Sequence, residues 1–183
     1  MNMVKRREGN IMVVIIRGPC SVGKTTAPYA LAKLLPDSAY LHGDGFPWMS
    51  DRTMQALDRR SREKGDNFRN AWLATGIAVI LGHGLHAVVD GMFMQDEELS
   101  DLLARLGPVK DSVRIFNLAV DPEEHLKRDA GRPPEQRIGK EGVEYFRTAN
   151  EWARSNFGVK TDATRSTPKD ITIKILDQIQ TAD

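Results

Sequence analysis

Gly18, Gly23, Lys24 and Thr25 stand in the spacing G-x-x-x-x-G-K-T, directly behind the apolar run Met12, Val13, Val14, Ile15 and Ile16. A buried strand that feeds a glycine-rich turn and then a helix is the setting in which this spacing holds phosphate. The glycines let the backbone curl so that successive N–H groups face one concavity. The following helix adds its unpaired N-terminal donors and the positive end of its dipole. Lys24 then reaches the β- and γ-phosphates of a nucleotide, and the Thr25 hydroxyl is placed to hold Mg2+. The required helix is present as a pattern, because Ala27, Ala30, Leu31 and Leu34 recur at helical spacing. Pro28 falls just inside it and predicts a slight kink through the loss of one early backbone bond. A glycine-rich turn that binds nothing is the alternative, and the helix pattern weighs against it.

Two carboxylates and a group of arginines fall where such a loop needs partners. Asp44 and Asp90 close the second and third apolar segments. In a doubly wound sheet, ligands sit outside the carboxyl ends of the strands, so both fall on the rim that carries the phosphate loop. Asp44 is a candidate to accept a hydroxyl proton, or to orient that hydroxyl for in-line attack on the γ-phosphorus. Asp90 is a candidate to hold Mg2+, directly or through water. Each precedes a glycine, so a turn-forming role is the alternative for both. Phe46, Trp48 and Phe93 read either as the lining of an acceptor pocket or as packing aromatics. Arg128, Arg132 and Arg137 lie on a segment with glycine and paired prolines. Residues 128–139 therefore read as a lid that neutralises charge on a transferred phosphoryl group and excludes water. A solvated surface loop is the competing account.

Positioning these residues takes a parallel sheet. Five short β-type segments, 12–17, 39–41, 85–90, 113–119 and 158–162, alternate with helical stretches. That alternation predicts an α/β fold with helices on both faces of the sheet and right-handed crossovers. Asp121, Pro122 and Glu124 form a capping-box pattern with proline at the first helical position. Thr167 and Pro168 open the last helix in the same way, with Ile171, Ile175 and Ile179 on one face. Thr172 to Ile175 also alternates as a strand would. The arginine-rich segment 51–64 reads as a helix near the site.

The bulk properties fit one domain over residues 1–183, with residues 1–10 as a disordered tail. The balance of 26 basic against 25 acidic residues gives no broad field favouring nucleic acid or a membrane surface. The single cysteine, Cys20, excludes a disulfide framework and a cysteine-rich zinc site; it reads as a small residue that fits the loop rather than as a reactive thiol. His42, His83, His86 and His125 show no metal-ligand spacing, so no metal beyond Mg2+ is expected; His42 is able to line the pocket. Arg52, Arg59, Arg60 and Arg62 either bind an acidic acceptor or form a solvated helix face. Trp72, Val79, Ile80 and Trp152 read as core or interface positions. Lys5, Arg6 and Arg7 precede an apolar stretch too short for a leader, and no segment approaches membrane-spanning length. A cytoplasmic location is the expectation.

On these motifs the chain resembles the small P-loop kinases, the group of chloramphenicol phosphotransferase, shikimate kinase, gluconate kinase and the nucleoside-monophosphate kinases. The likeness to the chloramphenicol phosphotransferase-like branch is carried by Gly18 to Thr25, Asp44, Val88 to Asp90, Arg128 to Pro134 and Val159 to Pro168. The resemblance implies a three-layer P-loop NTPase fold, a five-stranded parallel sheet with helices on both faces and an arginine-bearing lid. It implies ATP on Gly18, Pro19, Cys20, Ser21, Val22, Gly23, Lys24, Thr25 and Thr26, with Mg2+ at Thr25. It implies an acceptor hydroxyl near Asp44 and lid contacts from Arg128 and Arg132. Arg128 would pack against the adenine ring, and the loop 162–167 would supply backbone contacts to it. Asp44, Gly45 and Phe46 depart from the Asp-x-Asp and Asp-Arg patterns of shikimate and nucleotide kinases, which leaves the acceptor open.

The expectation is a monomeric or weakly dimeric phosphotransferase that moves the γ-phosphoryl group of ATP to a hydroxyl of a small molecule, with Lys24, Asp44, Arg128 and Arg132 as the catalytic set. One alternative is a nucleoside-monophosphate kinase, in which the arginines between 52 and 62 grip an acceptor phosphate. Another is a non-catalytic ATP-binding switch or adaptor whose partner reads the closed lid.

Overall fold

Val13–Arg17 form strand β1, buried from end to end. Burial on both faces is what a parallel sheet imposes on its central strand, so the strand reads as a continuous apolar run. The computed structural model describes residues 11–43, 45, 52–53, 55–57, 59, 67–149, 155 and 157–181. The other strands are β2 (Ser38–His42), β3 (His86–Gly91), β4 (Val113–Ala119) and β5 (Val159–Asp162). All pairings are parallel, in the order β2-β3-β1-β4-β5. Each strand read from the sequence is present within one residue at either end.

Alternation along β1 divides the core. Val14 and Ile16 pack with Leu31, Val88, Leu118, Ile171 and Ile175 under helices α1 (Thr26–Leu34) and α6 (Pro168–Gln180). Val13 and Ile15 pack with Leu73, Ile77, Leu99 and Leu102 under α2 (Phe68–Gly82) and α3 (Asp96–Leu106). The result is three layers, helices on both faces of one sheet. Helices α4 (Pro122–Ala130) and α5 (Gly139–Ala149) follow β4 and pack on each other.

Local signals decide the helix ends, with one correction. At α6 the full capping box forms, with Asp170 N–H on Thr167 Oγ1 at 3.2 Å and Thr167 N–H on Asp170 Oδ2 at 2.9 Å. That cap fixes the helix, so the strand-like alternation of Thr172 to Ile175 is overridden. At α4 only half the box forms: Asp121 Oδ1 accepts Glu124 N–H at 2.8 Å, but the Glu124 carboxylate turns to Arg128 at 2.8 Å instead. A charge-assisted partner wins over the cap. Pro28 removes one bond between two that are made, Ala27 N–H to Gly23 O at 3.0 Å and Tyr29 N–H to Thr25 O at 3.4 Å.

Residues 128–139, expected as a lid, hold more regular structure than a loop. Arg128 lies in the last turn of α4, Pro134–Gln136 form a 3-10 turn, and residue 139 opens α5. Within the segment 51–64, residues 52–53, 55–57 and 59 are helical. Arg60, Arg62, Phe46, Trp48, Trp152 and residues 1–10 lie outside the described residues. Trp72 and Val79 are exposed and so are not core, whereas Ile80 packs against the α2–α3 side. Among the described residues, no helix is long and apolar enough to cross a membrane.

Candidate active site

The loop between β1 and α1 is wound as its spacing demands. Gly18, Pro19 and Val22 are buried, Cys20, Ser21, Gly23 and Lys24 are half-buried, and Thr25 and Thr26 are exposed. Gly23 has φ +96°, in the left-handed region that a residue with a Cβ rarely adopts. Ser21 has φ +65° although it carries a side chain, a conformation costing about 1 kcal/mol. Such backbone persists where surrounding contacts over-determine it, and here they do. Thr25 takes the N-cap position of α1, yet its side chain makes no capping hydrogen bond.

Those contacts come from one face of α4 and the turn behind it. His125 Nε2 donates to the Cys20 carbonyl at 2.7 Å; a carbonyl only accepts, so the ring carries its proton on Nε2. Arg128 Nη1 donates to Val22 O at 3.3 Å. Ser21 Oγ donates to Asp129 Oδ1 at 3.1 Å and accepts from Arg132 Nη1 at 3.2 Å. Positions 125, 128, 129 and 132 have the i, i+3, i+4, i+7 spacing of a helix face. Arg128 also reaches the carbonyls of Ala163, Thr164 and Ser166 through Nη2, at 2.7, 3.2 and 3.2 Å. It thus clasps the phosphate loop to the 163–166 turn. Arg137 does not reach the phosphate loop through this face; its Nε donates to Arg132 O at 2.7 Å.

Burial pushes the Asp129 carboxyl up, but the Ile138 and Gly139 N–H groups, the Ser21 hydroxyl and the Arg132 charge outweigh it and hold it below the usual carboxylate range. Burial also dominates at His125 and holds its pKa below the ordinary imidazole value, against the raising effect of the Cys20 carbonyl. The ring is thereby kept neutral.

Asp90 is the next-to-last residue of β3 beside β1, paired in register with Ile16 on one side and His42 on the other. It is wholly buried. Its Oδ1 takes His42 Nδ1 at 2.7 Å and Gly43 N–H at 3.0 Å, while Oδ2 has no hydrogen-bond partner among the described residues. Asp44 lies outside the described residues. Phe93 is a packing aromatic: it is fully buried with the Arg69 guanidinium 5.0 Å over its ring. His83 and His86 serve the backbone, on Val79 O at 2.8 Å and under Met12 N–H at 3.1 Å. Among the described residues no cluster of three histidine, cysteine or acidic side chains is placed to hold a metal.

Arg17 was legible only as the end of an apolar run, yet it is fully buried at the mouth of the loop. Its Nε donates to Asn117 Oδ1 at 2.5 Å, Nη1 to Phe93 O at 3.4 Å and Nη2 to Asp96 Oδ1 at 3.0 Å; Nη2 also meets Ser155 Oγ. Asn117 in turn donates to Phe157 O at 2.5 Å. This network joins β1, β4 and the start of α3 around the residue preceding Gly18.

The class these features define is the P-loop fold, a three-layer α/β arrangement. A gluconokinase from Sinorhizobium meliloti 1021 is similar at TM-score 0.69 and 13% identity, over 93% of each chain. A sugar kinase from Janibacter sp. HTCC2649 is similar at TM-score 0.66 and 17% identity, over 93% of this chain and 95% of that one. The tunicamycin resistance protein of Deinococcus radiodurans is similar at TM-score 0.64 and 18% identity, over 93% and 96%. No family model matches the sequence, and no curated protein does.

Proposed function

We propose that the protein is an ATP-dependent phosphotransferase that moves the γ-phosphoryl group to a hydroxyl of a small molecule. The observation that carries the reading is the phosphate loop itself, wound into a nest and fastened by Arg128 of α4 and by Arg132 in the turn behind it. The loop N–H groups and Lys24 bind the nucleotide phosphates. Arg132, beside Ser21, offsets charge developing on the transferred group. Arg128 sets the adenine side by fixing the 163–166 turn, and Asp44 handles the acceptor hydroxyl. Thr25 and Asp90 would hold Mg2+, whose charge, when bound, offsets that of the phosphate oxygens. Two features suit them to it: a threonine hydroxyl unused in capping and a buried carboxylate oxygen with no other partner. The protein acts as a monomer or weak homodimer in the cytoplasm, where ATP is abundant.

The test is ATP consumption against a panel of sugars, antibiotics, shikimate and nucleotides, with Lys24→Ala as control. One acceptor should be turned over, and Asp44→Asn should abolish its transfer while sparing ATP binding. Tight ATP binding with no acceptor turned over would overturn the phosphotransferase reading in favour of a nucleotide-dependent switch.

A further inference from the structure

The two oxygens of Asp90 are treated unequally. Oδ1 takes two donors, His42 Nδ1 at 2.7 Å and the Gly43 N–H at 3.0 Å, and Oδ2 takes none among the described residues although the side chain is wholly buried. A buried carboxylate oxygen without a partner calls for an explanation such as an ion or a water. The sheet says which side it serves. Asp90 is in register with Ile16, which packs in the core under α1 and α6, so its side chain lies on the α1 face, the helix whose N-cap position Thr25 takes.

The asymmetry is constructed by β2. Asp90 and His42 are register partners across β3 and β2, which brings the imidazole alongside the carboxylate. A Cβ on Gly43 would stand 1.9 Å from the Asp90 carbonyl oxygen, so only glycine lets that N–H close on Oδ1. Two neighbours touch the ring: Tyr40 stacks on it at 6.2 Å between centroids, and Gly45 approaches so closely that a Cβ there would lie 3.0 Å from Cδ2. Against a carboxylate the ring nitrogen is the donor.

We propose that His42 is a positioning residue that acts through Asp90 on the metal. By occupying Oδ1 together with Gly43 N–H, it leaves Oδ2 as the one oxygen that can meet Mg2+ or its water. Outer partners of this kind fix the direction of a metal-binding carboxylate, and losing one weakens metal affinity by about 10- to 100-fold. The inference rests on the nucleotide-site reading above, and its test is independent of the acceptor. Mn2+ binding is measured by electron paramagnetic resonance with a non-hydrolysable ATP analogue present. His42→Ala should weaken Mn2+ by about 10- to 100-fold. His42→Asn, whose amide nitrogen falls near the place of Nδ1, should restore most of it. Asp90→Asn should weaken it too, and His42→Ala added to Asp90→Asn should cost nothing more, because both remove one device. Analogue affinity in EDTA should be the same for all variants, which reports that each is folded. Mn2+ affinity unchanged in His42→Ala, no rescue by Asn, or additive losses in the double variant would each overturn the proposal while leaving the nucleotide site standing. Absence of nucleotide-dependent Mn2+ binding in the unmodified protein would overturn the site reading and this proposal together.

Discussion

Ser21 and Asp129, 108 positions apart, meet at 3.1 Å. The same carboxylate accepts the N–H groups of Ile138 at 3.1 Å and Gly139 at 2.9 Å. One buried side chain therefore fastens the phosphate loop and the entry to α5 at once. It is also why the arginine segment is folded rather than loose, and why Ser21 can hold a left-handed conformation in the middle of the loop.

Asp129→Asn should lower stability at pH 7 by about 2 kcal/mol, since an amide presents an N–H toward donors it cannot accept from. For a chain of this size that is about 6 °C in Tm. The pH dependence has a definite sign. The folded carboxyl titrates below its unfolded value, so the stability is full above about pH 4 and is lost as pH falls through the folded value. Thermal unfolding from pH 7 to 3 should show a shallower acid decline in the variant. Parallel curves would remove Asp129 as the latch.

His125 has the same sign in a higher window. Burial, the largest influence, keeps the folded ring below the ordinary histidine value. As pH falls, the unfolded chain takes up its proton first, so the contribution is full above about pH 6.5 and declines toward the folded value. The Cε1 proton of His125 should titrate by NMR with a midpoint below about 6.5. His125→Gln should flatten the decline of Tm between neutral and mildly acid pH, and a midpoint at or above the ordinary value would contradict the buried, neutral ring.

The parts readable in the sequence are those whose causes are local. Strand β1, the loop and α1 are fixed by apolar runs and by spacing within a few residues, and Thr167 with Asp170 is a cap complete in four. What the sequence hid depends on distant partners. Glu124 carries a capping signature, but Arg128 takes it. Arg128 and Arg132 stand out in the sequence as site arginines, but His125 and Asp129 look like ordinary polar positions until the loop 100 positions or more away lies beside them. The pairing of His42 with Asp90 follows from β2 lying next to β3, a consequence of strand order that no local pattern encodes.

Arg128 should not be replaceable by lysine. Its guanidinium spans Glu124, Val22 O and three carbonyls of the 163–166 turn from separate nitrogens, a reach that a single ammonium cannot reproduce. Loss of a bond to a charged group is about 1.5–3 kcal/mol, so Arg128→Lys and Arg128→Ala should both weaken ATP-analogue binding by about 10-fold or more. Calorimetric titration separates the accounts. If charge alone mattered, lysine would restore affinity.

Arg17→Met tests the buried network at the mouth of the loop. The guanidinium is fully buried, and its removal takes the donor from Asn117 Oδ1 and breaks the ion pair with Asp96, which is one-quarter exposed. Breaking a fully buried pair costs about 3–5 kcal/mol; the partial exposure of Asp96 places the loss near the lower end, about 3 kcal/mol or about 9 °C in Tm. Lysine has the charge but not the fork that meets Asn117, Phe93 O and Asp96 together, so Arg17→Lys should recover only a minor part. Urea unfolding should show the midpoint falling with the slope unchanged, the mark of lost stability rather than of an altered unfolded state. Because Gly18 follows directly, the nucleotide affinity of the folded variant reports whether the network also sets the loop. An Arg17→Met protein as stable as the unmodified chain would mean that the buried guanidinium contributes no net stability, as happens when desolvation cancels a buried pair.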